Sequence, residues 1–257
     1  MRNIVITGAS SGIGKELKSL FEKTDRVITI SRSKIDSPTH YVCDVTDSNK
    51  VCDVFEQISY TYGNIDILIN NAGYGLSGAI ELLPIEEVRN LFDVNFFGVF
   101  SCTQNALPFM KKGGKVINIS SACALFALPY RGMYCASKSA VNMLSFSLNM
   151  ECKKSGIQVS AICPGDTKTN FTANRVKISN TNDRYGDSIV KSANKIDSRE
   201  DKRMSVESVA KKIFKITNRK RLPYQKIIGF KYKVFYFCSL ILPKRAFMSV
   251  VNKIFNK

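Results

Sequence analysis

One short stretch near the start, residues 2–23, constrains the fold of this 257-residue chain more than any other. RNIVIT (2–7) reads as a buried strand and KELKSLFEK (15–23) as a helix. The turn between them, TGASSGIG (7–14), sets glycines at 8, 12 and 14. Such a turn bends tightly and lets a pyrophosphate approach the helix N-terminus, where backbone N–H groups and the helix dipole favour an anion. Its GxxxGxG spacing differs from GxGxxG, so its meaning comes from the strand before it and the helix after it. The same rhythm recurs. RVITI (26–30), HYVCDV (40–45), DILIN (66–70), KVINIS (115–120), IQVSAIC (157–163) and QKIIGF (225–230) are strand-like. Helical patterns cover 51–63, roughly 85–112, 133–154 and the stretch after Ser205, a predicted N-cap for Val206, Val209, Ile213 and Phe214. Strands alternating with helices predict an α/β fold, a doubly wound parallel sheet of about seven strands.

The chemistry gathers between Val116 and Ala140. Tyr134 and Lys138 stand four residues apart, on one helix face about one turn apart. A neighbouring ammonium favours phenolate, which predicts a Tyr134 pKa below the ordinary ~10. Ser121, at a strand end, is placed to hydrogen-bond the same substrate oxygen, with Ser120 as the alternative. Tyr130 has no lysine at helical spacing and reads as pocket wall or surface. After the second strand comes Arg32, where an acid would suit the ribose hydroxyls of NAD. A guanidinium suits a 2′-phosphate instead, which points to NADP. Asn95 lies inside a helical pattern, where its amide competes for backbone groups, so a local irregularity or a polar task is expected there. Eight cysteines without a CxxC pair read as reduced, buried thiols. The lone His40 reads as a solvated loop residue, and no metal site is expected.

TGASSGIG (7–14), NNAG (70–73), Asn95, Ser121, YCASK (134–138) and PGDTKT (164–169) occur in the order and spacing of short-chain dehydrogenase/reductases in their compact, single-domain form, which residues 1–170 resemble. The resemblance implies a Rossmann-like fold, NADP(H) as cofactor and hydride transfer between a carbonyl and an alcohol. It makes Tyr134 the acid/base and has Lys138 lower its pKa and hold the nicotinamide ribose. Ser121 steadies the substrate oxygen, and Asn95 anchors a water. The cofactor contacts it implies are Gly8, Ser10, Ser11, Gly12, Ile13, Gly14, Arg32, Asp44, Val45, Asn71, Ala72, Gly73, Tyr134, Lys138, Pro164, Gly165, Thr167 and Thr169. Asp44 is to meet the adenine and Thr169 the nicotinamide end. The family also implies a homodimer or homotetramer packed through the helices at 85–112 and 133–154.

Past Thr169 the composition changes. Residues 166–257 hold 22 Lys and Arg against 7 Asp and Glu, most of the chain's net +17, and no acid follows Glu207. Residues 1–230 read as one catalytic domain with a substrate lid at about 170–204. Residues 231–257 read as a basic, aromatic-rich extension of two short helices broken at Pro243. Its apolar run is far below the ~20 residues a membrane-spanning helix needs. The extension either covers the pocket or a subunit contact, or lies shallowly on an anionic membrane. No recognisable module supports nucleic-acid binding. With no secretory signal in RNIVITG, a cytoplasmic location is expected. Ala122, Cys123, Ala124, Leu125 and Phe126 follow Ser121 and predict an apolar cleft. The expected substrate is accordingly small and hydrophobic, such as a steroid or lipid ketone. Alternatives are a 3-oxoacyl-carrier-protein reductase, or a membrane-surface NADP-binding regulator, the latter disfavoured by the intact acid set.

Overall fold

The computed structural model describes residues 1–171, 174–197 and 203–255. In chain order its elements are β1 (Asn3–Thr7), α1 (Gly12–Phe21), β2 (Arg26–Ser31), β3 (His40–Val42), α2 (Ser48–Tyr62), β4 (Ile65–Asn70), β5 (Leu76–Ser77), α3 (Ile85–Phe92) and α4 (Gly98–Ala106). There follow β6 (Met110–Ile119), α5 (Gly132–Glu151), β7 (Gln158–Pro164), β8 (Thr167–Lys168), β9 (Val176–Lys177), α6 (Ser188–Asp197), β10 (Met204–Ser205), α7 (Val206–Thr217), β11 (Gln225–Ile228), α8 (Phe230–Ile241) and α9 (Lys244–Phe255).

Among the described residues, seven strands form one parallel sheet in the order β11-β7-β6-β4-β1-β2-β3. This is the doubly wound arrangement expected from the alternating pattern. The chain runs outward from β1 through β2 to β3, then returns to lay β4 on the other side of β1. The strand order therefore reverses between β1 and β4, and a crevice opens beyond their carboxyl ends. All five residues of β1 are buried, as a central parallel strand covered on both faces requires. One face packs against α2 and α4 through Val5, Ile28, Phe55, Ile58 and Cys102. The other packs against α1 and α7 through Ile4, Ile6, Leu17, Phe21 and Ile213, with the Phe21 and Phe214 rings 4.7 Å apart.

Polar side chains also occupy the core, and most of their atoms pair, Asn70 Oδ1 and Ser101 Oγ being exceptions. Asn70 and Asn118 sit opposite one another on β4 and β6. Asn70 Nδ2 donates to Asn118 Oδ1 (2.8 Å) and Thr103 Oγ1 (2.9 Å), and Asn118 Nδ2 donates to Ser145 Oγ (2.9 Å). These bonds tie α4 and α5 to the sheet at fixed register, since an unpaired amide there costs a few kcal/mol.

Two expectations are corrected. The helix read over 85–112 is interrupted: α3 gives way to a π-helical turn at Asp93–Phe97 and α4 then ends in a 3-10 turn at Leu107–Phe109. Met110, Lys111 and Lys112 belong to β6 instead, because Pro108 cannot continue the hydrogen-bonding ladder. The irregularity expected at Asn95 is this π turn. His40 is not a solvated loop residue. It opens β3 half-buried, its Nε2 donating to the Ser33 carbonyl and its Nδ1 accepting from Thr29 Oγ1, both at 2.8 Å.

The basic extension forms two helices with Pro243 between them, and both pack on the domain. A third apolar cluster joins Leu76, Leu91, Phe126, Leu128 and Tyr134 to Phe247 and Val251 of α9 and to Tyr232, Phe235 and Cys238 of α8. Phe126 stacks on Phe235 (5.6 Å) and meets Phe247 edge-on (6.0 Å). Of the expected lid, residues 172, 173 and 198–202 lie outside the described residues. Within the remainder β9 pairs with β5, and β10 at its end pairs with β8, which precedes the lid.

Phe247 is 3 % exposed, so Phe247→Ala leaves a cavity beneath α9. The expected loss is about 3–5 kcal/mol of unfolding free energy, seen as a lower urea midpoint in one cooperative transition. An unchanged midpoint would mean that the extension folds separately from the sheet.

Candidate active site

The crevice between β1 and β4 is built by contacts between the glycine turn and the NNAG loop. Thr7 Oγ1 accepts from the backbone N–H groups of Asn71 (3.0 Å) and Ala72 (3.1 Å). Asn71 Nδ2 returns two bonds, to the carbonyls of Thr7 (3.1 Å) and Gly8 (2.9 Å). Gly8 has φ +66°, and a Cβ there would lie 2.8 Å from Ala72 Cα. A Cβ at Gly14 would lie 2.5 Å from both Asn71 Nδ2 and the Gly8 carbonyl. Larger residues would push the loops apart. Ser11 caps α1 without a side-chain hydrogen bond, and the first helical turn carries no acid. A cradle of bare backbone at a helix N-terminus fits a pyrophosphate.

From this cradle a cleft of about 850 Å³ runs to Tyr134, roomy enough for a dinucleotide beside a substrate. Ser10, Gly12, Ile13, Arg32, Asp44, Val45, Gly73, Pro164, Gly165, Thr167 and Thr169 line it with Gly8, Ser11, Asn71 and Ala72, as do Ser121, Tyr134 and Lys138. Gly14 and Asn95 stand behind the wall. Arg32 follows the last residues of β2 and is exposed at the cleft. Asp44 Oδ1 accepts from Thr46 N (3.0 Å) and Thr46 Oγ1 (2.9 Å), which fixes the turn after β3.

At the far end, α5 brings Tyr134 and Lys138 up against the end of β6. Hydrogen bonding separates the two serines. Ser120 Oγ donates to the Lys138 carbonyl (3.1 Å), whereas Ser121 Oγ faces the Tyr134 phenol and accepts from Cys123 N (3.1 Å). Lys138 is only 4 % exposed, and its Nζ donates to the Ile119 carbonyl (3.0 Å). Asn95, wholly buried in the π turn, accepts from Tyr74 N (3.0 Å) through Oδ1, while its Nδ2 donates to the Tyr74 carbonyl (3.0 Å) and Ser137 Oγ (3.2 Å). Gly73 lies between: a Cβ there would be 2.8 Å from Asn95 Oδ1 and 3.3 Å from Lys138 Nζ.

The protonation of this group differs from the expectation that the ammonium pulls the phenol down. Burial pushes the Tyr134 phenol above its ordinary value and Cys123 adds to the rise, while the Ser121 hydrogen bond acts against both. Burial likewise pulls the Lys138 ammonium down to about 8. Desolvation is the largest effect on each group, and no pull of the Lys138 ammonium on the phenol offsets it.

Residues that the spacing of motifs did not single out also line the cleft. Arg131, just before α5, is 8 % exposed and points Nη1 toward Cys123 Sγ (4.0 Å). Phe171 sets its ring 5.9 Å from that of Tyr134, and Tyr232 of α8 covers Gly165, where a Cβ would lie 2.0 Å from its ring. An Arg before a helix-opening Gly was visible at 131. Nothing local marked Tyr232, whose place depends on how α8 docks.

Fold and site together define a nucleotide-dependent oxidoreductase of Rossmann type. The family model for short-chain dehydrogenases matches residues 2–179. A 3-ketodihydrosphingosine reductase of Bacteroides thetaiotaomicron is 38% identical over 234 residues, covering 88% of this chain and 87% of that protein. A short-chain dehydrogenase structure from Streptomyces avermitilis superposes with a TM-score of 0.83 at 26% identity, over 98% of this chain and 96% of that one. The structure of ElxO with NADP bound gives a TM-score of 0.75 at 26% identity, over 91% and 99%. The chain belongs to the short-chain dehydrogenase/reductase family.

The lowered Lys138 has a consequence for stability against pH. Below about pH 8 the lysine is charged both folded and unfolded, and the folded state bears the whole cost of burying it. Between about 8 and 10.5 the folded protein gives up that proton while the unfolded chain keeps it, so stability rises with pH. Relative to Lys138→Met, wild type should therefore gain up to about 3 kcal/mol across that window in paired urea titrations. A stability difference that stays flat from pH 7 to 10 would contradict the shift.

Proposed function

We propose that the protein is an NADP(H)-dependent reductase of a hydrophobic, long-chain ketone, giving the secondary alcohol. The observation that carries this reading is the meeting of Ser121, Tyr134 and Lys138 at one end of a cleft whose other end is the Gly8–Gly14 cradle. A nicotinamide held there supplies the hydride in reduction and takes it in oxidation. Negative charge then grows on the carbonyl oxygen. Tyr134 donates a proton to that oxygen, and the Ser121 hydroxyl steadies it by a hydrogen bond. Lys138 lies one turn behind, its ammonium held by Ile119, and serves as the positive group toward the ribose side. Asn95 is assigned to holding a water behind Lys138.

NADP is preferred over NAD because Arg32, exposed at the cleft, offers a guanidinium where an acid would serve the ribose hydroxyls. The NADP bound in ElxO supports the same choice. For the substrate, Ala122 and Cys123 of the run expected to line the cleft do so, and with Phe171 and Tyr232 they give it an apolar part beside the polar Arg131, Asp166 and Arg175; Phe126 and Phe235 lie behind in the adjoining apolar cluster. The 38% identity to a protein named 3-ketodihydrosphingosine reductase supports a ketone on a long chain. A 3-oxoacyl-carrier-protein is the second reading, favoured by the acid-free, basic stretch after Glu207, which would attract an acidic carrier. The assembly proposed is a homodimer or homotetramer through the segment at 85–112 and α5, where Phe97 of the π turn, Phe100 of α4, and Met143 and Met150 of α5 are exposed.

A panel of long-chain ketones, steroids and 3-oxoacyl thioesters, followed by NADPH absorbance, tests the substrate. Tyr134→Phe should lower kcat about 10²–10⁴-fold while leaving NADPH affinity nearly intact. Turnover close to wild type would remove Tyr134 from the chemistry. Arg32→Asp should cut the NADPH preference by roughly ten- to a hundredfold, since one charge-assisted contact to phosphate is worth about 1.5–3 kcal/mol. Equal wild-type affinity for NADH and NADPH would refute the role given to Arg32.

A further inference from the structure

We propose that the outer face of α8 docks on an anionic lipid bilayer. The helix is apolar nearly all round, yet only one side of it is covered. Tyr232, Phe235 and Cys238 face the domain and join the cluster that walls the cleft. On the opposite side Phe230, Val234, Phe237 and Ile241, spaced i, i+4, i+7 and i+11, make one stripe, and Leu240 widens it. Phe230 is 81 % exposed, Phe237 60 %, Leu240 65 % and Ile241 62 %. These are large side chains lying side by side on one continuous surface, and they are not scattered single exposures of the kind every protein carries.

Charge chooses the occupant. Lys233 borders the stripe on α8, Lys231 lies at its inner margin with its ammonium 6.0 Å over the Phe235 ring, and Lys244 and Arg245 follow just beyond its end; all four are exposed. No acidic residue occurs between Ser208 and Lys257, against 13 Lys and Arg. An apolar stripe bordered by cations alone matches the boundary between acyl chains and anionic headgroups, where apolar burial and attraction to the surface add. A second copy of the chain would place these cations against themselves, which costs free energy. Among the described residues no helix is long and apolar enough to cross a membrane, so the contact is one of a helix lying in the interface.

The position of α8 gives the contact a use. Tyr232, on its inner side, lines the cleft, so a bilayer seated on its outer side lies one helix diameter, ~10 Å, from the substrate wall. Seated in this way, the enzyme would take up a poorly soluble ketone from the membrane without passing it through water. This use rests on the ketone-reductase reading above, but the docking does not.

Co-sedimentation of the full chain with vesicles of phosphatidylcholine alone, or with about a third phosphatidylglycerol, tests it. Wild type should partition at least ~10-fold more onto the anionic vesicles, and 0.5 M salt should reverse most of that gain. Phe237→Glu with Leu240→Glu, both on the exposed face, should abolish partition. Melting temperature and NADPH binding should stay unchanged, because neither residue touches the cleft. Wild type left in the supernatant with anionic vesicles would overturn the proposal. So would a wild-type oligomer that the double variant breaks into monomers without any loss of vesicle binding, since the stripe would then belong to a second copy. Failure of the ketone panel alongside intact vesicle binding would count against the reaction and leave the docking standing.

Discussion

The structure depends on the lacing of two loops across the carboxyl ends of β1 and β4. Parallel strands that part in opposite directions leave a crevice whose backbone groups have no ladder to join. Thr7 and Asn71 supply the missing partners, with one hydroxyl accepting two N–H groups and one amide donating to two carbonyls. This holds the glycine turn open toward the cleft. Gly8 and Gly14 are required less for mobility than for the closeness with which the loops cross. Every later feature of the site, from Arg32 to Tyr134, is measured from this fixed crossing.

At the opposite end of the cleft, desolvation governs. Tyr134 and Lys138 are each buried, so each is driven toward its neutral form. The spacing of the two residues implied a pull in one direction, toward phenolate. Burial reverses it by taking the phenol out of water, while the Lys138 Nζ is turned to the Ile119 carbonyl. Asn95 takes part in the same economy of polar groups. The π turn carries it into the core, and its amide then satisfies Tyr74 and Ser137. A helix that kept regular hydrogen bonding there would not present it to them.

The basic extension is part of the body of the protein, since Phe247 and Val251 are as buried as residues of the sheet. Its first helix is two-sided in an unusual sense, being apolar both toward the cleft and toward the outside. A wall of the cleft and an outer surface are therefore one rigid element. Any contact made on the outside acts on a helix whose other side carries Tyr232.

What the sequence determined by itself is local or nearly so. Strand runs, helix periodicity, the glycine turn and the break at Pro243 state the α/β class and the parallel winding. The Gly8–Gly14 turn and Ser121 follow closely on the ends of β1 and β6, and the next helix carries Tyr134 and Lys138 back to the same cleft. Tertiary structure decided the rest. The two hydrogen bonds of His40, to Thr29 and Ser33, depend on β3 pairing with β2, whereas the interruption at Pro108 lies in the residue itself. Ser120 was separated from Ser121 only by the bond it makes to the Lys138 carbonyl. Arg131 and Tyr232 entered the site because α5 and α8 pack where they do. The protonation of Tyr134 also waited on the fold: spacing encodes the distance to a charge, but burial is a property of the whole chain.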